Sequence, residues 1–286
     1  MDMKSEVKLL SPAKVNLRLD VLGKREDGYH EIESIMTRVS LYDDVFLSIE
    51  DGEGLEVTCT GQAPSGEKNI AHKAATAILD RSSSRVRVRI EVIKNIPVAA
   101  GLGGGSSNAA TVLLGLNKML DIGLSKNELM KIGARMGADI PFFIFERPAI
   151  ARGIGERLEE INLPQLWFVL VNPNIPVSTA DVYRGMNLKF GLTKKGFGIN
   201  MPNFNNGVRG VSRILHNDLE GVALRMHPEI GFVKDTVRAA GAIGTLMSGS
   251  GATVFGLFES REEAYAAFAS LSSRPEGWRI FVAENI

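Results

Sequence analysis

Residues 101–110 read Gly-Leu-Gly-Gly-Gly-Ser-Ser-Asn-Ala-Ala, and no other stretch of the chain restricts its fold as strongly. Glycine loses more backbone freedom on ordering than any other residue, so four of them in five positions imply a backbone path that side chains would obstruct. The flanking sequence gives the run its direction. Upstream, Arg-Val-Arg-Val-Arg-Ile-Glu-Val at 85–92 alternates strictly, which puts Val86, Val88, Ile90 and Val92 on one face of a strand. The three arginines fall on the other face and, with no interleaved aromatics, read as a solvated surface. Downstream, Ala109, Val112, Leu113, Leu116 and Leu120 recur at helical spacing, and Gly123 marks the stop. The glycine run therefore joins a strand to a helix N-terminus. Unpaired N–H groups and the positive end of the helix dipole favour an anion there, and glycines let the backbone approach phosphate oxygens closely. Ser106 and Ser107 add hydroxyls that can cap the helix or reach a phosphate or Mg²⁺. Two familiar phosphate loops do not fit: GxxxxGK[ST] requires a lysine that is absent after Gly105, and GxGxxG from Gly101 meets Ser106 where its last glycine belongs.

The rest of the chain alternates strand and helix signals. The polar turn Gly23–Gly28 separates the apolar runs Leu17–Leu22 and Ile32–Val39, which predicts antiparallel strands. Ser125-Lys126-Asn127-Glu128 is a capping box opening a second helix that ends at Gly137, leaving Asp139 in a tight turn. Ala242–Met247 and Ala252–Phe258 flank Ser248-Gly249-Ser250-Gly251 and predict two strands joined by a tight turn. Residues 146–164 shift to arginine, glycine and glutamate before a buried strand restarts at Trp167–Asn172. This places a domain boundary near residue 160, with domains at 1–160 and 161–286 and a final strand able to return to the first. Lys189–Gly210 is rich in Gly, Asn and Lys and reads as a long loop; a functional lid and a plain surface insertion fit it equally.

Composition excludes several classes. The chain has 286 residues, 44% of them hydrophobic, with 33 basic and 33 acidic side chains, so no net positive field draws it to nucleic acid. The apolar runs Pro141–Phe145 and Leu166–Val171 are far shorter than the roughly 20 residues of a membrane span. Charged residues punctuate the N-terminus, so no signal peptide is read there and a cytoplasmic location is expected. The lone Cys59 sits in a strand-like run and reads as a small apolar residue. His30, His72, His216 and His227 show no carboxylate or cysteine partner at metal-ligand spacing, so no protein-built metal site is expected.

Three segments taken together resemble a known family. They are Ser11-Pro12-Ala13-Lys14-Val15-Asn16-Leu17, Pro97-Val98-Ala99-Ala100 leading into Gly101–Ser107, and Met247-Ser248-Gly249-Ser250-Gly251-Ala252-Thr253-Val254-Phe255. In this order, spanning nearly the whole chain, they resemble the motifs of the GHMP kinases. Asp27-Gly28-Tyr29-His30, the full 101–110 run and Gly137–Phe143 are most similar to the branch of that family that acts on a cytidyl diphosphate substrate.

The resemblance implies an α+β, two-domain GHMP kinase fold with mainly antiparallel sheets, an active-site cleft between the domains, and ATP with Mg²⁺ as cofactors. It implies Asp139 as general base with Lys14 as its cationic neighbour, whose charge would keep the carboxylate ionised and stabilise the reacting oxygens. ATP contacts are implied for Pro97, Gly101, Leu102, Gly103, Gly104, Gly105, Ser106 and Ser107, and, around adenine, for Asn69 and Lys94. For the substrate, Tyr29 would stack on cytosine, His30 would meet its edge, Tyr183 would supply the second ring and Asn16 would hold the sugar-alcohol end. Residue by residue, Asp139 also fits an Asx turn, Lys14 a surface lysine and Tyr183 a core aromatic. A homoserine or mevalonate type of kinase, and a nucleotide-binding module without catalysis, stay open, as does monomer or homodimer. Residues 146–152 and 189–210 match no family pattern and leave the substrate's diphosphate contacts unassigned.

Overall fold

In the computed structural model of the chain, residues 4–61, 63–186, 191–192, 204–273 and 277–286 are described. Two long strands open the chain, β1 (Lys4–Lys24) and β2 (His30–Asp51), followed by β3 (Gly54–Cys59), α1 (Ile70–Leu79), β4 (Val86–Ile93) and α2 (Gly104–Met119). Then come α3 (Lys126–Ala134), α4 (Ile140–Phe145), β5 (Ala149–Gly153), β6 (Arg157–Glu160), β7 (Trp167–Asn172), α5 (Thr179–Arg184) and β8 (Gly191–Leu192). The chain closes with α6 (Gly207–Ser212), β9 (His216–Asn217), α7 (Glu220–Met226), α8 (Pro228–Ala239), β10 (Gly244–Met247), β11 (Val254–Phe258), α9 (Arg261–Ser272) and β12 (Arg279–Glu284). Among the described residues no helix is long and apolar enough to cross a membrane.

Residues 1–13, 42–98 and 103–146 form one compact unit. In it the second half of β2 pairs antiparallel with β4, from Asp44↔Ile93 to Asp51↔Val86, and β3 lies parallel on β4's other side. The alternation of β4 works as its sequence requires: Val86, Val88, Ile90 and Val92 are buried, while Arg87 and Arg89 point outward and meet Glu50. Val112, Leu113 and Leu116 of α2 supply the facing apolar stripe. Gly115 lets α2 come close, because a Cβ there would lie 2.5 Å from Leu47 Cδ1 and 2.7 Å from Leu9 Cδ1. The capping box of α3 forms in both directions. The run 141–145 is a helix, α4, where the sequence showed only a short apolar stretch. Pro141 suits a first turn because its missing N–H would have no helical partner there.

Residues 14–41, 99–102 and 147–286 form the second unit. Its four-stranded sheet is antiparallel throughout, in the order β10-β11-β7-β12, and β10 and β11 make the expected hairpin, Gly244↔Leu257 to Met247↔Val254. Val169, Val171, Val233, Val237, Phe258 and Leu271 belong to its core. The first half of β2 pairs with β5, and β5 with β6, so the arginine- and glutamate-rich stretch read as boundary texture is a hairpin. The single cut expected near residue 160 does not describe these units, since β1 and β2 each contribute residues to both. Their alternating pattern runs on without a break, so nothing local marks the passage. Lys189–Gly210 lies mostly outside the described residues; its end forms a 3₁₀ turn, Phe204–Asn206, and most of α6.

Candidate active site

In the first unit the glycine run becomes the start of α2. Gly103 takes φ +69° as its N-cap, and no side chain caps the helix. The backbone just before it carries two more left-handed residues, Ala99 (φ +51°) and Gly101 (φ +75°). Under this helix start lies a polar network. Lys94 pairs with Asp43, at 6% and 0% side-chain exposure, and donates to Asn108 Oδ1 at 3.1 Å. Asp43 also accepts from the backbone of Asn95 and Ile96, both at 2.8 Å, and from Asn108 Nδ2 at 2.9 Å. Asn108 donates to Ser11 Oγ at 2.9 Å, and Ser11 donates to Ser107 Oγ at 2.8 Å. A Cβ on Gly104 would stand 3.0 Å from Lys94 Nζ, so this ammonium group props the helix start from beneath. Asn69 caps α1, its Oδ1 accepting from Ala71 N–H at 2.9 Å.

Asp139 is half-buried at the N-cap position of α4, and its carboxylate does not cap that helix. Its turn is held tight by Gly133, where a Cβ would meet Ile140 Cγ2 at 2.6 Å. The same turn lies beside the α2 start: a Cβ on Gly137 would be 3.8 Å from Ser106 Oγ.

In the second unit the three sequence motifs meet. Lys14 N–H donates to Leu102 O at 3.0 Å, Thr253 N–H to Ala100 O at 3.3 Å and Ser248 Oγ to Gly101 O at 2.9 Å. The approach is close enough that a Cβ on Gly101 would stand 2.0 Å from Ser248 O. Lys14 is not a surface lysine but 4% exposed, with Nζ donating to Asn16 Oδ1 at 2.5 Å. Asn16, 2% exposed, donates in turn to Ser34 Oγ at 2.8 Å. Gly249 (φ +55°) lies over this pair: a Cβ there would be 3.4 Å from both Lys14 Nζ and Asn16 Oδ1.

The aromatic residues gather in the same unit. His30 and Tyr183 stack with centroids 4.6 Å apart and planes at 26°, and Tyr29 beside them is 58% exposed. Tyr183 also packs against the core, so the core-aromatic reading is partly met. Burial, and secondarily the charge of Lys24, holds the His30 imidazole below its ordinary value. The turn carrying Tyr29 is set by Gly28 (φ +87°), by Arg25 N–H donating to Tyr29 O at 2.8 Å and by Tyr29 N–H donating to Asp27 Oδ1 at 3.1 Å. The Arg25 guanidinium holds the Asp27 carboxyl below the usual carboxylate range. Burial pushes the Cys59 thiol up, which suits an inert strand residue.

Sequence reasoning missed Ser34, Asp43, Asn108 and Asn217, because each finds partners far from it in the chain. It also missed a carboxylate partner for a histidine. Parallel pairing of β9 with β1 sets Arg18 opposite His216, and His216 Nε2 lies 2.9 Å from Asp218 Oδ1 and 3.9 Å from Asp20 Oδ1. Arg18 already binds Asp20 at 2.6 Å, and Val21 N–H donates to Asp218 Oδ2 at 2.7 Å, so both carboxylates have a partner besides the histidine.

The pattern of the GHMP kinases N terminal domain matches residues 69–147, and that of the GHMP kinases C terminal region matches residues 200–277. The chain belongs to the GHMP kinase family. Within that family it is 52% identical, over 97% of this chain and 98% of the relative, to the 4-diphosphocytidyl-2-C-methyl-D-erythritol kinase of Syntrophotalea carbinolica. The protein of the same name from Geobacter metallireducens is 50% identical over 96% of this chain and 97% of its own. A crystal structure of 4-(cytidine 5'-diphospho)-2C-methyl-D-erythritol kinase superposes with a TM-score of 0.83 at 38% identity, covering 98% of this chain and 99% of that one.

Proposed function

We propose that this chain transfers the γ-phosphoryl group of ATP to the 2-hydroxyl of 4-diphosphocytidyl-2-C-methyl-D-erythritol, giving the 2-phosphorylated product and ADP, a step of the non-mevalonate route to isoprenoid precursors. The observation that carries this reading is the 52% identity, over 97% of the chain, to a relative bearing that activity's name. The reaction needs an in-line hydroxyl, a place for its proton and relief of phosphate charge.

ATP supplies the phosphoryl group. The uncapped start of α2, Gly103–Ser107, suits its phosphates; Ser107 is buried and bound to Ser11, so the half-buried Ser106 is the hydroxyl that would meet Mg²⁺ carried with ATP. Asp139 takes the hydroxyl proton; its carboxylate is not engaged in capping its own helix. Lys14, buried and fixed by Asn16, offsets charge on the reacting oxygens, and Asn16 orients the sugar-alcohol end. Tyr29 and Tyr183 supply faces for the cytosine ring. A His30 ring kept neutral by burial offers one donor and one acceptor to the base edge. Pro97, Gly101 and Leu102 shape the approach to the loop, while Asn69 and Lys94 act near adenine through backbone and support rather than through free side chains. The reading carries with it a cytoplasmic enzyme, monomer or homodimer, with no nucleic-acid partner.

A coupled assay of ADP release tests it with three acceptors: the cytidyl diphosphate substrate, mevalonate and homoserine. Turnover with the first alone is expected; turnover with homoserine or mevalonate alone overturns the substrate assignment.

A further inference from the structure

We infer that Asn217, supported by Glu220, is a positioning residue for phosphoryl transfer, holding the 248–251 loop in the shape that fixes Lys14. This rests on the kinase reading above and adds residues that neither the three motifs nor the glycine loop contain.

Asn217 is 5% exposed and uses all of its near polar capacity on one task. Its Nδ2 donates to Met247 O at 2.8 Å and to Gly249 O at 2.7 Å, so a single amide bridges the carbonyls on either side of Ser248. Its Oδ1 accepts from Leu219 N–H at 2.9 Å, which fixes the orientation of the amide and leaves both donors facing the loop. Three residues on, Glu220 Oε1 accepts from Met247 N–H at 2.9 Å, and its other oxygen accepts from Lys234 Nζ at 2.5 Å. Between them, Asp218 is anchored to β1: Asp218 N–H donates to Leu19 O at 3.0 Å, and Oδ2 accepts from Val21 N–H at 2.7 Å. One four-residue segment thus ties the loop to the strand that carries Lys14 and Asn16.

The consequence for Lys14 is geometric. With its carbonyl held by Asn217, Gly249 sits where even a Cβ would come within 3.4 Å of Lys14 Nζ. Ser248, between the two clamped carbonyls, accepts from Asn16 N–H at 3.4 Å and donates to Gly101 O at 2.9 Å. Removing the amide leaves two buried carbonyls unpaired and lets the loop relax, freeing the volume that confines the lysine. An ångström-scale displacement near reacting atoms can cost about 10²-fold in rate.

Asn217 touches no reacting atom, so the test must separate positioning from general destabilisation. A double-mutant cycle with Lys14→Met does this. In the wild-type background, Asn217→Ala is expected to lower kcat about 10²-fold while both KM values move less than about threefold. With Lys14→Met already present, the same change is expected to cost less than about threefold, because the residue it positions is gone. Asn217→Asp, of the same shape but without the two donors, carries the test if the alanine variant does not fold. A kcat within threefold of wild type for both Asn217 variants, or a loss of equal size in the Lys14→Met background, overturns the inference. Absence of wild-type turnover with ATP and the cytidyl substrate is instead a failure of the kinase reading, and a Lys14→Met enzyme of normal rate overturns both.

Discussion

The glycine loop and the aromatic turn treat glycine in opposite ways. At Gly101 the positive φ of +75° is combined with the carbonyl of Ser248 only 2.0 Å from where a Cβ would stand, and neighbouring carbonyls accept from Lys14 and Thr253. At Gly28 the φ is +87°, yet nothing lies within 4 Å of the missing Cβ, and Tyr29 beside it is 58% exposed. The first region is backbone packed on backbone, with no room for adjustment. The second is a surface turn that presents side chains. A phosphate is recognised by fixed N–H groups and charge, which demands the first arrangement; a planar base is recognised by ring faces and edges, which the second supplies. The contrast predicts that changes on the phosphate side fall on kcat and changes on the aromatic side on substrate KM.

The largest effect is expected at Asp139. On the proposed reading Asp139→Asn removes the proton acceptor, and it is expected to lower kcat by about 10² to 10⁴ with KM for both substrates nearly unchanged, read from steady-state kinetics. Unchanged turnover sinks the catalytic role. Next comes the glycine pair itself. Gly101→Ala forces backbone against backbone and is expected to destabilise by about 2–4 kcal/mol in denaturant unfolding, with kcat falling alongside. Gly28→Ala carries only the cost of a left-handed alanine, about 1–2 kcal/mol, with kcat kept. Equal costs at the two sites would erase the distinction between them. Tyr183→Ala removes one ring of the stacked pair; at about 1–3 kcal/mol per stacked base, KM for the cytidyl substrate is expected to rise roughly 5- to 150-fold while KM for ATP stays put.

The smallest effect concerns pH at His30. Burial lowers the folded-state value of this imidazole, so between the folded and unfolded values the unfolded chain holds the extra proton. The neutral ring therefore contributes stability that is present above the ordinary histidine range and is lost as pH falls through that range towards the folded value. An NMR titration of His30 is expected to give a midpoint below that of a histidine in a short peptide; a midpoint at or above it contradicts the placement.

Local patterns were legible wherever the physics was local. The β4 alternation, the Ser125–Glu128 capping box and the β10–β11 hairpin each formed where their residues said, because burial periodicity, capping and turn chemistry act within a few residues. α4 escaped notice because six residues, one of them proline, are too few to display a helical period. The division into units was illegible for a different reason. A strand that passes from one unit to another keeps the same alternation on both sides, so β1 and β2 look uniform in sequence.

The candidate site follows the same split. Tyr29, His30, Asp139 and the motif residues could be put forward as candidates through the family resemblance, since each belongs to a short recognisable segment. Ser34, Asp43, Asn108 and Asn217 could not: a serine on a strand, or an asparagine in a two-residue bridge, carries no mark of the partner it will meet. By itself the sequence determined that a strand enters a helix through a glycine loop, that the loop belongs with two distant segments, and that these are the parts of a GHMP kinase. Only the tertiary structure decided that Lys94 pairs with Asp43 under the glycine loop, that Lys14 is buried against Asn16, and that Asn217 binds the 248–251 loop. Hydrogen bonds and ion pairs between residues far apart in the chain depend on strand register and on the angle of close approach, and those are properties of the assembled fold rather than of any window of sequence.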